Sequence, residues 1–334
     1  MYIGSDDGVY YLPTDSSSAT PKQVLETGRV MRLTQFEAIR GIFAATQTGL
    51  YRRLDGEWKN LEVPQEQVYA VGATRAGRLF AGTRPAAVYT TASADDKTWE
   101  ECDGLQQLPS RGEWRLPRHE NLAQIRDVHV DPGHPSVSSR IVVGVEVGGI
   151  HCSEDGGETW FERHEGVAND IHELHVVGPG EYVAATGRGL YRSSDAGQSW
   201  TRLDTSIEQS YFRAVHEHDG VIYAGSAMAN SSTWNEPEAR PQLVDVHDES
   251  VERIAIPYAD ETVTGLGTID DTLVAVTHSG HVLWSDGSEW TELATVPMSG
   301  DVTGRYTPVV GSSNATDVDP ENGGQSGAEA SSSG

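Results

Sequence analysis

The stretch SEDGGETW, residues 153–160, returns forty residues later as SSDAGQSW, residues 193–200. Weaker copies are SADDKTW at 93–99, LDGEW at 54–58 and SDGSEW at 285–290. Each copy follows a short apolar segment with a glycine-containing turn, and a further apolar segment precedes that one. A repeat built from short strands and tight turns predicts units of four antiparallel strands, which we call a to d in chain order.

The number of units follows from the predicted first strands, which begin at Val30, Val68, Ile125, Ile171, Phe212 and Val263. The N-terminal MYIGSDDGVYY supplies strands b and c without a strand a, and VTGRYTPVV from Val302 supplies a lone strand. Joined, the two ends complete a seventh unit and remove the free sheet edges. We therefore predict an all-β, seven-bladed β-propeller over residues 1–310, closed by N-terminal strands plus a C-terminal strand. Blades are numbered from this closing blade, blade 1.

The repeated motif resembles the Asp-box (BNR) repeat of sialidase-like β-propellers. The resemblance implies that each copy forms the turn between strands c and d, that its Asp holds backbone amides of the turn, and that its Trp packs between sheets. The residues of the two fullest copies are therefore interpreted as structural, not catalytic: Asp155, Trp160, Asp195 and Trp200.

A second resemblance concerns GTRPAAVY, LPSRGEWRLP, GVEVGGIHCSEDGGETW and NDIHELH, which start at 82, 108, 143 and 169. Together they resemble an uncharacterised group of intracellular Asp-box propellers that are often named glycosyl hydrolases, although a fold does not determine a function. True sialidases carry an Arg-Ile-Pro motif, whereas VMRLTQF at Val30 has only Arg32. Sialic acid cleavage is therefore rejected as the specific function.

The composition is strongly acidic. The 334 residues include 50 Asp and Glu against 24 Lys and Arg, only three of them lysines, for a net charge of −26. Such a surface repels phosphate backbones, so we expect no nucleic-acid partner. Abundant acid with few lysines is typical of a soluble, halophilic protein, because salt screens the self-repulsion. Neither a signal peptide nor a membrane span is recognisable, which predicts a cytoplasmic location. Residues 311–334, rich in Ser, Gly and acid, predict a disordered tail.

One strand position separates a single blade from the other six. The last residue of strand b is a small hydroxyl residue or Glu, in blade order: Ser5, Thr46, Thr83, Glu146, Thr186, Ser226 and Thr277. A hydroxyl can satisfy nearby backbone groups. A carboxylate in an apolar strand is costly unless it is paired or hydrogen-bonded. Glu146 therefore indicates an added function, on the face formed by the d–a and b–c loops.

Other polar residues are predicted for the same face. Arg84 and Arg188 lie in b–c turns, and the two longest insertions, 103–124 and 228–241, belong to this face as well. Long loops on a rigid scaffold often carry function. The first insertion places Trp114, Arg115, Arg118 and His119 together, which favours an anionic ligand. Pairing of these arginines with acidic neighbours is the alternative.

A second ring position, one residue into strand a, holds Arg126, His172 and Arg213 in blades 4 to 6, and Asp170 precedes His172 closely. Three residues further, the same blades hold His129, His175 and His216. Three histidines at one ring level could hold a metal. Histidines that hydrogen-bond between blades are the commoner arrangement, so we predict no metal site and no cofactor.

Two functions remain open from the sequence. In the first, Glu146 and Asp170 are the carboxylate pair of a carbohydrate-acting hydrolase or lyase on an acidic sugar, with His172 as an alternative base. Burial would then raise the pKa of Glu146 and suit it to general acid work. The ligand-binding residues would be Arg84, Trp114, Arg115, Arg118, His119, Arg126, Arg188 and Arg213. In the second, the protein is a non-enzymatic platform for a protein partner, and Glu146 forms a buried ion pair with Arg126 or Arg84.

Overall fold

The computed structural model describes residues 1–14, 19–131, 140–247, 250–287, 289–299 and 304–311. Within them the chain forms seven four-stranded antiparallel sheets, each in the order a-b-c-d. The predicted seven-bladed propeller is confirmed. Its closing blade pairs the C-terminal Val309–Val310 with the N-terminal Tyr2–Gly4, with Ile3 opposite Val309. The predicted tail, from residue 312 onward, and the start of the closing segment, 300–303, lie outside the described residues.

The strands of each blade are short. Blades 1 to 3 contain Val309–Val310, Tyr2–Gly4, Gly8–Tyr11 and Lys22–Glu26; Val30–Phe36, Ile39–Thr46, Gly49–Leu54 and Glu57–Asn60; and Val68–Ala73, Leu79–Thr83, Val88–Thr91 and Glu100–Glu101. Blades 4 and 5 contain Gln124–Asp131, Arg140–Glu146, Gly149–Ser153 and Phe161–Glu162; and Ile171–Gly178, Glu181–Thr186, Gly189–Ser193 and Thr201–Arg202. Blades 6 and 7 contain Tyr211–His218, Val221–Ala227, Gln242–His247 and Ser250–Ile254; and Val263–Ile269, Thr272–Thr277, His281–Ser285 and Trp290–Thr295.

Within the part of the chain that the structure describes, helical structure is confined to the two long insertions. Five short 3-10 helices lie there: Asp103–Gln107, Pro109–Glu113, Pro117–His119, Ser231–Thr233 and Pro237–Ala239. Among the described residues, no helix has both the length and the apolar character that crossing a membrane requires.

The hydrophobic core lies between neighbouring blades. Phe80 of blade 3, for example, packs in one cluster with Ile125 and Val143 of blade 4. Close approach near the axis requires small residues: a Cβ on Gly82 would lie 2.5 Å from a methyl group of Ile125. In the two fullest motif copies the aspartate accepts backbone amides of the turn between strands c and d. The Asp155 carboxylate accepts hydrogen bonds from the amides of Glu158 and Thr159.

A bulge recurs at the start of strand a in blades 2 to 7. The register with strand b shifts around one residue in every case: Met31, Tyr69, Arg126, His172, Arg213 and Thr264. A bulge residue has no partner in the ladder and its side chain is re-aimed. This repeated irregularity turns the second ring position of the sequence toward the central channel. In blade 1 the equivalent predicted residue, Thr303, lies outside the described residues.

An ion-pair network crosses the middle of the channel. Arg32 of blade 2 binds both oxygens of Asp127 in blade 4 at 2.8 Å and also contacts Glu173 in blade 5. Asp127 accepts the amide of Leu174, and Glu173 accepts the amide of Val215 in blade 6. The network ties four blades together beneath the mouth of the channel.

Candidate active site or ligand-binding pocket

A polar cavity of about 390 Å³ occupies the channel mouth on the face of the d–a and b–c loops. Its charged lining consists of Arg29, Arg84, Arg118, Arg126, Arg213 and Glu146. Tyr69, Tyr211 and Tyr306 supply aromatic walls. Ligand sites of 300–1,000 Å³ are typical for small molecules, so the cavity has a suitable size.

Both long insertions contribute to this cavity. Arg118 and His119 reach it from residues 103–124, and Asn230 to Ser232 reach it from residues 228–241. Burial, followed by the charge of Arg84, lowers the pKa of His119. The imidazole is therefore neutral near pH 7, and the positive charge of the cavity comes from the arginines.

Glu146 lies on the cavity wall, only 2% exposed, with three side-chain donors. Its Oε1 accepts from Arg118 at 2.5 Å, and its Oε2 accepts from Gln124 at 2.6 Å and from Arg126 at 3.0 Å. The ion pair with Arg126 is the contact expected for a structural role. Glu146 thus combines burial and pairing with a position in the cavity, which the sequence hypotheses treated as alternatives.

The electrostatic state of Glu146 differs from the sequence expectation. Burial alone would raise its pKa, but the charges of Arg126, His172 and two further arginines outweigh burial and hold the pKa well below its usual range. The expectation of a raised pKa, suited to general acid work, was therefore wrong in direction. The physical reason is that the neighbouring strands supply cations that single-strand reasoning did not pair with this carboxylate.

Four of the other six members of the strand-b ring donate to a carbonyl of their own b–c connection, among them Thr83 to Pro85 at 2.8 Å. The other two reach further: Ser5 donates to the carbonyl of Pro297, and Thr277 donates to the carboxylate of Glu261. Thr46 and Thr186 donate to the carbonyls of Gly49 and Gly189 in their own b–c turns, at 2.9 and 2.8 Å. Ser226 likewise donates to the carbonyl of Gln242. In these four blades a hydroxyl closes the b–c connection locally, whereas Glu146 accepts hydrogen bonds from side chains of other segments.

Arg213 is a deeply buried cation in the cavity lining. It is 5% exposed and its Nη2 donates to the carbonyls of Gly304 and Arg305, at 2.9 and 3.3 Å. Among the described residues it has no carboxylate partner. Burial and the charge of Arg126 lower its pKa to about 10. Its guanidinium is still charged near pH 7, at an electrostatic cost that a bound anion would reduce.

Tyr306 organises the arginines and was missed by the sequence reasoning. The Cζ atoms of Arg126 and Arg213 lie 4.3 and 4.1 Å from its ring centroid. Tyr69 contacts Tyr306 edge-on at 6.4 Å between centroids, and Arg84 lies 5.7 Å from the Tyr69 ring centroid. Stacked guanidiniums are held in place while their edges stay available for hydrogen bonds. The aromatic residue in VTGRYTPVV was the available signal.

Three residues predicted for ligand binding lie away from the cavity lining. Trp114 is buried against His151, with 4.8 Å between ring centroids, and anchors the first insertion. Arg115 and Arg188 are exposed. The cavity therefore brings together Arg84, Arg118, His119, Arg126 and Arg213 from the predicted set.

Asp170 and His172 sit behind Glu146. Nδ1 of His172 lies 2.7 Å from the carbonyl oxygen of Phe212, so Nδ1 carries a proton and donates it to that carbonyl. Its Nε2 faces Asp170 Oδ2 at 3.6 Å. His172 also stacks on Tyr211, whose pKa is raised by burial, so this phenol stays protonated. The two residues support the cavity wall, while only Glu146 of the predicted catalytic trio lines the cavity itself.

Two groups of side chains have the residue types of a metal site. Ligand atoms of Glu146, Asp170 and His172 lie within 4.8 Å of one another. Arg118, Gln124 and Arg126 already donate to Glu146, so a cation there would compete with two guanidiniums. The predicted histidine level, His129, His175 and His216, does not form a ligand cluster among the described residues. His216 instead bonds Thr268 at 2.9 Å.

Comparisons with known proteins agree on the fold. A GH74 enzyme from Niastella koreensis matches with a TM-score of 0.59 at 16% identity, over 79% of this chain and 45% of the enzyme. YCF48 bound to D1 peptide matches with a TM-score of 0.55 at 14% identity, over 79% and 81% of the two chains. The WD40 β-propeller domain of Doa1 matches with a TM-score of 0.52 at 12% identity, over 80% and 83%.

These likenesses establish a β-propeller fold and no activity, because all three identities are low. The chain spans less than half of the length of the GH74 enzymes it resembles. No protein-family model and no curated protein sequence matches the chain.

Proposed function

We propose that the arginine-lined mouth of the channel binds a small acidic ligand, and that acidic sugars such as uronates are the class it takes. The observation that supports this is the meeting of five guanidiniums around a cavity whose lining offers one carboxylate, Glu146. The whole chain carries a net charge of −26, so this positive region is a local feature. Buried cations favour a counter-charge, and a ligand carboxylate would supply it.

The cavity also suits the uncharged part of a sugar. Tyr69 and Tyr306 offer aromatic faces against which an apolar sugar face could pack. The side-chain oxygens of Gln67 and Gln124 have no hydrogen-bond donor among the described residues. Hydroxyl groups of a ligand could donate to them. A cavity with arginines, amides and aromatic walls therefore fits a polyol with an acidic group better than a purely apolar anion.

Binding is better supported than hydrolysis. Glycoside cleavage by two carboxylates usually needs one that is protonated before the reaction. Glu146 is held in its ionised form, and Asp170 does not line the cavity. The catalytic assignment of Glu146, Asp170 and His172 stays a prediction. Product formation from a glucuronide oligosaccharide, compared between wild type and Glu146→Gln, tests it separately from binding.

The test of binding is calorimetric titration with glucuronate and with glucose, in high and low salt. Glucuronate should bind and glucose should not. Arg84→Gln should weaken glucuronate binding about tenfold or more, since a charged hydrogen bond contributes about 1.5–3 kcal/mol. Arg75→Gln is the matched control, because Arg75 is exposed in the a–b turn of blade 3 and is absent from the cavity lining. Failure of every acidic sugar to bind would contradict the proposal.

A second candidate is a binding platform for an acidic peptide. YCF48, which shares the fold, has a solved structure with a bound peptide, and this chain matches 81% of it. A peptide carboxyl terminus would meet the same arginines. An acidic hexapeptide with a free terminus, titrated beside its amidated form, separates the two candidates. Tight binding of the free peptide together with no binding of sugar acids would favour the platform.

A further inference from the structure

The positive charge of the cavity exceeds what a single carboxylate can balance. Five arginines line it, and two carboxylates pair with them: Glu146 with Arg118 and Arg126, and Asp6 with Arg29 at 3.5 Å. Arg84 and Arg213 have no carboxylate partner among the described residues. Asp6 also pairs with Arg305, at 2.8 Å, so neither Glu146 nor Asp6 balances these two cations.

The two arginines without carboxylate partners pack against two aromatic rings that contact each other. Arg213 packs against Tyr306, and Arg84 packs against Tyr69, whose ring meets Tyr306 edge-on. The guanidinium of Arg84 makes no hydrogen bond to a described residue, and Arg213 uses only Nη2 for its two carbonyls. Two guanidinium forks with unused donors are thus positioned before any ligand arrives, which lowers the entropic cost of binding.

From this charge excess and these unused donors we infer that the ligand carries a dianionic group, and that this group is a phosphate monoester on a polyol. The inference rests on the proposed function and specifies its substrate class. A carboxylate has two oxygens and one negative charge. A phosphate monoester has three terminal oxygens and about −1.5 to −2 charges near pH 7. It therefore matches both the excess of two cations and the two separate forks.

The polyol half of the inference rests on the uncharged lining. Gln124 is 1% exposed and its Oε1 accepts no hydrogen bond from a described residue, although its Nε2 donates to Glu146. Gln67 lines the same cavity with an unpartnered Oε1. Free inorganic phosphate would leave both acceptors unsatisfied, whereas a sugar hydroxyl could donate to them. The cavity should therefore prefer a phosphorylated polyol to phosphate alone.

The test is a calorimetric titration of the full chain with four probes: glucose 6-phosphate, inorganic phosphate, glucuronate and glucose. Glucose 6-phosphate should bind at least tenfold more tightly than glucuronate and than inorganic phosphate. Glucuronate binding as tightly as glucose 6-phosphate would overturn the inference and leave the proposed function intact. Equal affinity for glucose 6-phosphate and inorganic phosphate would overturn it as well. No binding of any acidic probe would contradict the proposed function itself.

Arg213→Met separates a binding role from a folding role. The variant keeps much of the side-chain volume against Tyr306 and removes the buried charge. It should lose the tenfold preference for glucose 6-phosphate, while its thermal midpoint without ligand should stay unchanged or rise. Arg75→Met is the matched control and should keep the preference. If Arg213→Met fails to fold, Arg84→Gln at the partly exposed rim gives the same comparison. A variant of either residue that folds and retains the full preference would overturn the inference.

Discussion

Two groups of arginines meet the same channel, and they are balanced in different ways. In the middle, Arg32 contacts both Asp127 and Glu173, and the carboxylates also accept backbone amides. At the mouth, Arg213 reaches only carbonyl oxygens and Arg84 has no ion-pair partner among the described residues. An arginine that is paired with carboxylates therefore stabilises the ring of blades. An arginine without one is available to a ligand.

The largest expected effect comes from the balanced group. Arg32→Met removes the cation between two carboxylates and leaves Asp127, which is 2% exposed, without its arginine partner. Breaking a buried pair in this way costs about 3–5 kcal/mol. Chemical denaturation should show this loss relative to wild type. A loss below about 1 kcal/mol would mean that Arg32, although paired with carboxylates, does not stabilise the fold as a buried ion pair should.

The second prediction concerns the boundary between the two groups. Glu146→Gln removes the one carboxylate of the cavity lining and should cost about 1.5–3 kcal/mol of unfolding free energy, because Arg118 and Arg126 keep their charge without a carboxylate partner and the amide nitrogen of Gln cannot accept a hydrogen bond. The same change raises the positive charge of the cavity, so anion affinity should rise while stability falls. Calorimetry and denaturation on one preparation test both. Loss of anion binding would show that Glu146 contacts the ligand directly.

The third prediction concerns the pH dependence of stability, which buried histidines of the channel and the core determine. Burial, with a neighbouring histidine as a further cause, lowers the pKa of His151 and of His175 to about 3, and burial lowers that of His216 to about 4. The unfolded chain takes up protons below about 6.5, while the folded chain does not until about 4 or lower. Stability should therefore fall as the pH drops from about 6.5 to about 4.

Glu146 adds to this loss only at lower pH, because a depressed carboxyl pKa contributes stability until the folded form is protonated. Denaturation at pH 7, 6 and 5 checks the histidine window, and His175→Phe should flatten the profile. A constant stability from pH 7 to pH 5 would contradict neutral buried histidines.

The smallest effect is expected in the motif turns, far from either arginine group. Asp155→Ala removes the acceptor of the Glu158 and Thr159 amides in an exposed turn and should cost about 1 kcal/mol. Asp195→Ala is the matched change in blade 5, where Asp195 accepts the amide of Ser199. Anion binding should be unaffected in both variants. Reduced anion affinity in either variant would show that the motif turns are energetically coupled to the cavity.

The fold could be predicted because its signals repeat. The strand pattern recurs, so in blades 2 to 7 the predicted start of strand a lies within one residue of the observed one, as at Val30 and Ile171. The odd position of Glu146 also emerged from that internal comparison. The pairing of Glu146 with Arg118 and Arg126 could not be predicted, because it depends on where an insertion folds back and where a bulge turns a side chain.

Other features of the site depend on long-range geometry. Tyr306 belongs to the closing segment, and its contact with Arg126 and Arg213 joins residues about 180 and 90 positions apart in sequence. The sequence pattern places Trp114, Arg115 and Arg188 on the face of the d–a and b–c loops, the face that carries the cavity. Their final positions are set by the local packing of the insertion and by exposure of the turn, which the strand period does not determine.

The most direct measurement is a crystal structure of the protein soaked with selenate, a dianion whose selenium gives an anomalous signal. We expect an anomalous peak in the mouth of the channel, within hydrogen-bond distance of Arg84 and Arg213, and no such peak in Arg213→Met crystals. Peaks confined to exposed surface arginines, with none in the cavity of the wild-type protein, would contradict the assignment of the mouth as an anion site.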